Sequence, residues 1–206
     1  MISALDALAR LRAGNARFVA SLGDASATSA RLTGLVSVQE PIAIVLGCSD
    51  ARVPAELVFD QGLGDLFVIR VAGNIVAPSQ VGSVEFAAAQ FGTRLVVVLG
   101  HSQCGAILAT LAELRRPSAT QSPNLKSIVD RVRPSVAALL EDGVGDEAAL
   151  VRRAVRANIR ASADHLRHGS AILEDLIARE GLLVVGAEYS LETGAVEFFD
   201  GVTGGA

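Results

Sequence analysis

Four short apolar runs constrain this chain more than any other feature. They occupy residues 42–46, 66–71, 95–99 and 182–185 and are rich in Val, Ile and Leu. None alternates strictly with polar residues, so each reads as a strand buried on both faces. The spans between them carry apolar residues at helical spacing, at 81–91, 106–114, 125–140, 147–166 and 171–179, with a kink expected at Pro134. Strands alternating with helices predict an α/β fold, with a mostly parallel central sheet of about four strands flanked by helices. A Glu-Thr-Gly turn at 192–194 precedes a last apolar run at 195–199, which predicts a closing C-terminal antiparallel strand. Residues 2–20 have helical spacing, and the Ser/Thr/Ala-rich segment 23–34 reads as a loop. No internal repeat or linker divides the chain. A single domain over 1–206 is expected, with 1–35 as an N-terminal helical arm and loop.

Composition narrows the function classes. Of 206 residues, 50% are hydrophobic and 19% charged, which excludes a disordered chain. The net charge of -4 argues against nucleic acid as a partner. No apolar run approaches the roughly 18 residues of a membrane span. The N-terminus interleaves Asp6, Arg10 and Arg12 with its apolar residues, unlike a secretion signal, so a cytoplasmic location is expected. Two cysteines in such a chain do not suggest a structural disulfide.

In open α/β sheets, ligands bind beyond the carboxyl ends of the strands. The first run is followed by Gly47-Cys48-Ser49-Asp50-Ala51-Arg52, and the third by Gly100-His101-Ser102-Gln103-Cys104-Gly105. Both cysteines and one of three histidines therefore sit at strand ends. If those strands are neighbours, the three side chains converge. Two thiolates and one imidazole are a soft set suited to zinc, and three protein ligands leave the fourth position open, the signature of a catalytic site. Asp50 and Arg52 form a carboxylate–guanidinium pair beside the set, although a surface ion pair or helix cap would use the same residues. No Cys-x-x-Cys supports a thiol oxidoreductase.

The motifs Cys-x-Asp-x-Arg (48–52) and His-x-x-Cys-Gly (101–105), with Phe67-Val68-Ile69-Arg70 and Ala72-Gly73-Asn74 between them, resemble those of the β-class carbonic anhydrases. The likeness runs from about Asn15-Arg17-Phe18 to the final Gly-rich turn and weakens in 23–34 and 143–146. It implies zinc held by Cys48, His101 and Cys104, and a homodimer or homotetramer. It also implies hydration of CO2 to bicarbonate by zinc-bound hydroxide, with an Asp50–Arg52 dyad orienting the water. Two thiolate ligands offset part of the metal's acidity, so activity should favour mildly alkaline pH.

By the same resemblance, Gln39, Phe67, Phe86 and Gly73 would bind substrate, with Val53 and Ala72 contributing. Phe67 and Phe86 suit ordinary core equally well, and Gly73 suits a simple turn. The subtype resembled is plant-like. Where a regulatory subtype carries Trp, this chain has Val45, and it holds no Trp. Arg70 and Tyr189 match two other positions of that bicarbonate site, so the switch is expected to be absent or altered, with Asp50 off the metal. His165 and His168 are either proton shuttles or exposed helix-end residues. Arg152, Arg153, Arg156 and Arg160 read as a solvated or intersubunit helix face, and the N-terminal helix packs on its own core or on a partner. Two other functions use the same residues: hydrolysis of CS2 or COS, and a noncatalytic zinc-stabilised module binding bicarbonate or a partner. The Asp50–Arg52 pair disfavours the second.

Overall fold

The computed structural model describes residues 2–21, 39–118, 120, 122–141 and 146–202. The expected loop at 23–34 lies outside the described residues. In chain order the elements are α1 (Ala4–Ala20), β1 (Ala43–Gly47), α2 (Ala55–Val58), β2 (Leu66–Arg70), a 3-10 turn (Ala72–Asn74), α3 (Pro78–Gln90) and β3 (Leu95–His101). There follow α4 (Gly105–Arg115), α5 (Pro123–Glu141), α6 (Glu147–His168), α7 (Ala171–Glu180), β4 (Leu183–Tyr189) and β5 (Val196–Asp200).

The five strands form one sheet in the order β2-β1-β3-β4-β5. All neighbours are parallel except β4 and β5, which pair antiparallel. Each of the four expected strand runs, and the closing one, is therefore present. β1 and β3 are buried throughout, as their unbroken apolar runs require. β3 and β4 extend beyond those runs to pair Gly100 with Glu188 and His101 with Tyr189.

Side chains alternate across the sheet. Ile44, Leu46, Cys48, Val96, Val98 and Val184 face one core with α3 to α7. Ala43, Val45, Val97, Leu99 and Val185 face the other, where Leu8 and Leu11 of α1, Val58 of α2 and Phe59 cover them. Helix ends follow their capping chemistry. Ser3, Asp146 and Ser170 accept from the backbone N–H of Asp6, Ala148 and Leu173, and Gly181 ends α7 in the left-handed conformation. α5 continues through Pro134 as one helix, although Pro134 cannot donate to the preceding turn. Among the described residues, no helix is long and apolar enough to cross a membrane.

The chain leaves β1 outward to β2, then crosses to β3 on the other side of β1. The carboxyl ends of β1 and β3 thus flank the point where strand order reverses, where such sheets open a crevice for ligands.

Candidate metal centre

Cys48 follows β1 directly, His101 ends β3, and Cys104 caps the start of α4. Adjacency of β1 and β3 brings the three together: their ligating atoms lie within 4.8 Å of one another, and all three residues are buried. The Cys48 and Cys104 sulfurs are 3.9 Å apart. A tetrahedral ion with zinc–sulfur bonds of about 2.3 Å would hold two sulfurs about 3.8 Å apart.

The imidazole fits the same requirement. Its Nδ1 stands 2.8 Å from the Ser102 carbonyl, so that nitrogen carries the proton and donates, leaving Nε2 as a lone-pair donor. Among the described residues, His101 Nε2 is a buried side-chain polar atom without a hydrogen-bond partner. A buried acceptor is costly when unpaired, and a cation between it and the two sulfurs supplies the missing interaction. The donor set, its spacing and this lone nitrogen all fit zinc.

The two thiols act on each other's acidity. The neighbouring Cys104 thiol holds the Cys48 pKa well below the usual thiol range against the opposing effect of burial, and the Gly73 N–H adds to the lowering. The same contact, together with burial, pushes Cys104 upward. A dication would take both sulfurs as thiolates, so its binding would release protons from the pair. Gly73 N–H lies 3.3 Å from the Cys48 sulfur. Gly73 has φ 73°, and a Cβ there would meet the Ala106 Cβ at 3.0 Å, so glycine is required at this turn.

Asp50 stands beside the cluster, its Oδ2 3.8 Å from His101 Nε2. Arg52 grips it twice, Nε to Oδ1 at 2.9 Å and Nη2 to Oδ2 at 2.7 Å, and the Arg52 backbone N–H also donates to Oδ1. The guanidinium holds the Asp50 carboxyl well below the usual carboxylate range. Arg70 straps the loop from beneath, its Nε donating to the Cys48 carbonyl at 3.0 Å and its Nη2 to that of Asp50.

Other expected residues lie elsewhere. Phe67 is in register with Ile44, four positions before Cys48, so it stands roughly 13 Å back along the strand direction. It packs with Phe86 and Phe91, at centroid separations of 6.2 and 6.0 Å. Gln39 is exposed at the edge of the described residues. His165 and His168 are exposed in the last turn of α6. Arg156 bonds Glu188 and Glu197 and stacks on Phe199, tying α6 to β4 and β5 of its own chain.

Sequence reasoning missed the residues that hold the Gly73 turn. Asn158 Nδ2 donates to the Gly73 carbonyl at 2.8 Å, and Ser162 Oγ to that of Asn74 at 3.0 Å. Both are polar residues on the otherwise apolar stripe of α6, which was the available signal.

A buried Cys–His–Cys set at the switch point of a parallel sheet defines an α/β metalloprotein with a three-ligand, soft-donor site. The comparisons with known proteins agree on which one. The carbonic anhydrase family model matches residues 43–196. The chain is 37% identical over 185 residues to carbonic anhydrase 2 of Mycobacterium tuberculosis, covering 89% of this chain and 87% of that protein. It is 38% identical over 190 residues to a carbonic anhydrase of Mycolicibacterium smegmatis, covering 91% and 89%. A tetrameric β-carbonic anhydrase from Sordaria macrospora superposes with TM-score 0.72 at 26% identity, covering 80% of this chain and 83% of the other. The chain belongs to the carbonic anhydrase family, in its β class, whose members use zinc.

Proposed function

We propose that this protein catalyses the reversible hydration of CO2 to bicarbonate and a proton. The observation that carries the reading is the buried Cys48–His101–Cys104 cluster beside a carboxylate already engaged by arginine. Zinc, when bound, acidifies a water molecule so that a nucleophile is available near neutral pH.

The chain's own residues do the rest. Cys48, Cys104 and His101 Nε2 hold the ion, and the Ser102 carbonyl fixes the imidazole by accepting from Nδ1–H. Asp50, kept ionised by Arg52, acts as a fixed acceptor that orients the attacking water by hydrogen bonding. Arg52 engages both carboxylate oxygens, which favours the arrangement with Asp50 off the metal. Val45 is fully buried in the sheet, and Arg70 is spent on loop carbonyls. Both features support the expectation that bicarbonate does not switch this site in the manner of the Trp-bearing subtype.

The Phe67–Phe86–Phe91 cluster stands back from its own chain's metal site. Gln39, Phe67 and Phe86 therefore serve a substrate pocket only across an interface between copies. Phe86 is 53% exposed, as a contact with a second copy requires. The tetrameric Sordaria relative is consistent with self-association as a homodimer or homotetramer.

Stopped-flow CO2 hydration on metal-quantified protein tests the assignment. Cys48→Ala is expected to lose zinc and fall to the uncatalysed rate. Asp50→Asn should retain zinc and lose about 10²-fold or more in kcat/KM. One zinc per chain with no hydration activity, or activity only toward COS or CS2, overturns the proposal.

A further inference from the structure

The face of α6 that packs on the sheet is apolar except at two places. Val151, Ala154, Val155, Ile159, Ala163 and Leu166 are interrupted by Asn158 and Ser162, which are 2% and 5% exposed. Burying an amide and a hydroxyl costs free energy unless each finds a partner. Both find one in the same turn: the carbonyls of Gly73 and Asn74, which lie 85 and 88 residues away in the chain. That turn presents the Gly73 N–H to the Cys48 sulfur.

The turn is not held by regular structure. Gly73 and Asn74 both have positive φ, 73° and 42°, and the turn's own backbone contributes the Asn74 N–H to Val71 carbonyl bond at 3.0 Å. The Gly73 N–H belongs to the Ala72–Gly73 peptide, so its direction depends, through the torsions at Gly73, on what grips the two carbonyls that follow. An N–H bonded to a thiolate withdraws charge from it, and partners behind a metal ligand tune the metal in this way.

Resting on the metal-site reading above, we propose that Asn158, seconded by Ser162, is a positioning residue for the ligand Cys48. From α6 it fixes the Ala72–Asn74 turn so that the Gly73 N–H stays on the sulfur and limits the charge that sulfur gives the metal.

Cobalt(II) in place of zinc, in the full-length protein, gives a thiolate-to-metal charge-transfer band that reads sulfur donation directly. Asn158→Ala should bind one cobalt per chain with about 10- to 100-fold weaker affinity and a band displaced to longer wavelength. Ser162→Ala should shift it in the same direction by less, and Ser162→Thr, which keeps the hydroxyl, should leave it in place. Leu150→Ala removes buried volume from the same helix two turns before Asn158, and it should lower stability without moving the band. An unmoved band in Asn158→Ala, or an equal displacement in Leu150→Ala, overturns the proposal. If Asn158→Ala does not fold, an unmoved band in Ser162→Ala overturns it. A wild-type protein that binds no cobalt through thiolate sinks the site reading itself, which is a different result.

Discussion

At the residue scale, Asp50 sets the acid behaviour of the site. Three hydrogen bonds from Arg52 depress its pKa in the folded chain, whereas the unfolded value is about 3.9. A depressed folded pKa stabilises the native state above the unfolded value, and that contribution is lost as pH falls through the folded one. Metal-stripped wild-type protein should therefore unfold at higher temperature than metal-stripped Asp50→Asn at about pH 6, and the gap should close as pH drops below about 4. A gap that persists unchanged to about pH 2 would mean that the pair contributes no linked stability. Cys48, Asp50, Arg52, His101 and Cys104 were legible in the sequence because each lies within a few residues of a strand end. Asn158 and Ser162 were not, because what they bond is fixed only by the packing of α6 across the sheet.

At the scale of elements, the strands were readable because burial on both faces demands continuous apolar runs. Their ends were less so. β3 and β4 continue through Gly100-His101 and Glu188-Tyr189 because ladder bonding, not hydropathy, carries them. The short helix α2 and the 3-10 turn gave no periodic signal, being a single turn each. Close approach between elements is likewise invisible in sequence. Gly14 of α1 is buried where a Cβ would lie 1.8 Å from the Phe59 carbonyl oxygen, whereas around Gly82 of α3 nothing lies within 4 Å. The same substitution should then have opposite signs. Gly14→Ala pushes α1 off Phe59 against rigid backbone and should cost roughly 3 kcal/mol or more. Gly82→Ala, on an exposed helical position, should gain up to about 1 kcal/mol. Urea unfolding of the two variants measures both, and equal losses would contradict the packing described for α1.

At the scale of the whole molecule, the metal site joins parts of the chain that no local structure connects. Cys48 and the His101–Cys104 pair lie at the carboxyl ends of neighbouring strands, and the span between them contains α2, β2, the Gly73 turn and α3. Arg70 from β2, Gly73 from the turn, and Asn158 and Ser162 from α6 all bear on the Cys48 loop or on the turn behind it. In the unfolded chain the three ligands are dispersed, so an ion that binds all three binds the folded state. Zinc held at a free concentration 1,000 times its dissociation constant would then add about 4 kcal/mol of stability. For a chain of this size, 1 kcal/mol moves the unfolding midpoint by about 2–4 °C. Chelation should thus lower Tm by roughly 8–16 °C, with recovery on adding zinc back. Cys48→Ala should melt near the chelated value and respond little to either treatment. A wild-type protein whose Tm ignores both chelator and zinc would show that the three buried donors form an ordinary core contact, with no ion bridging the strands.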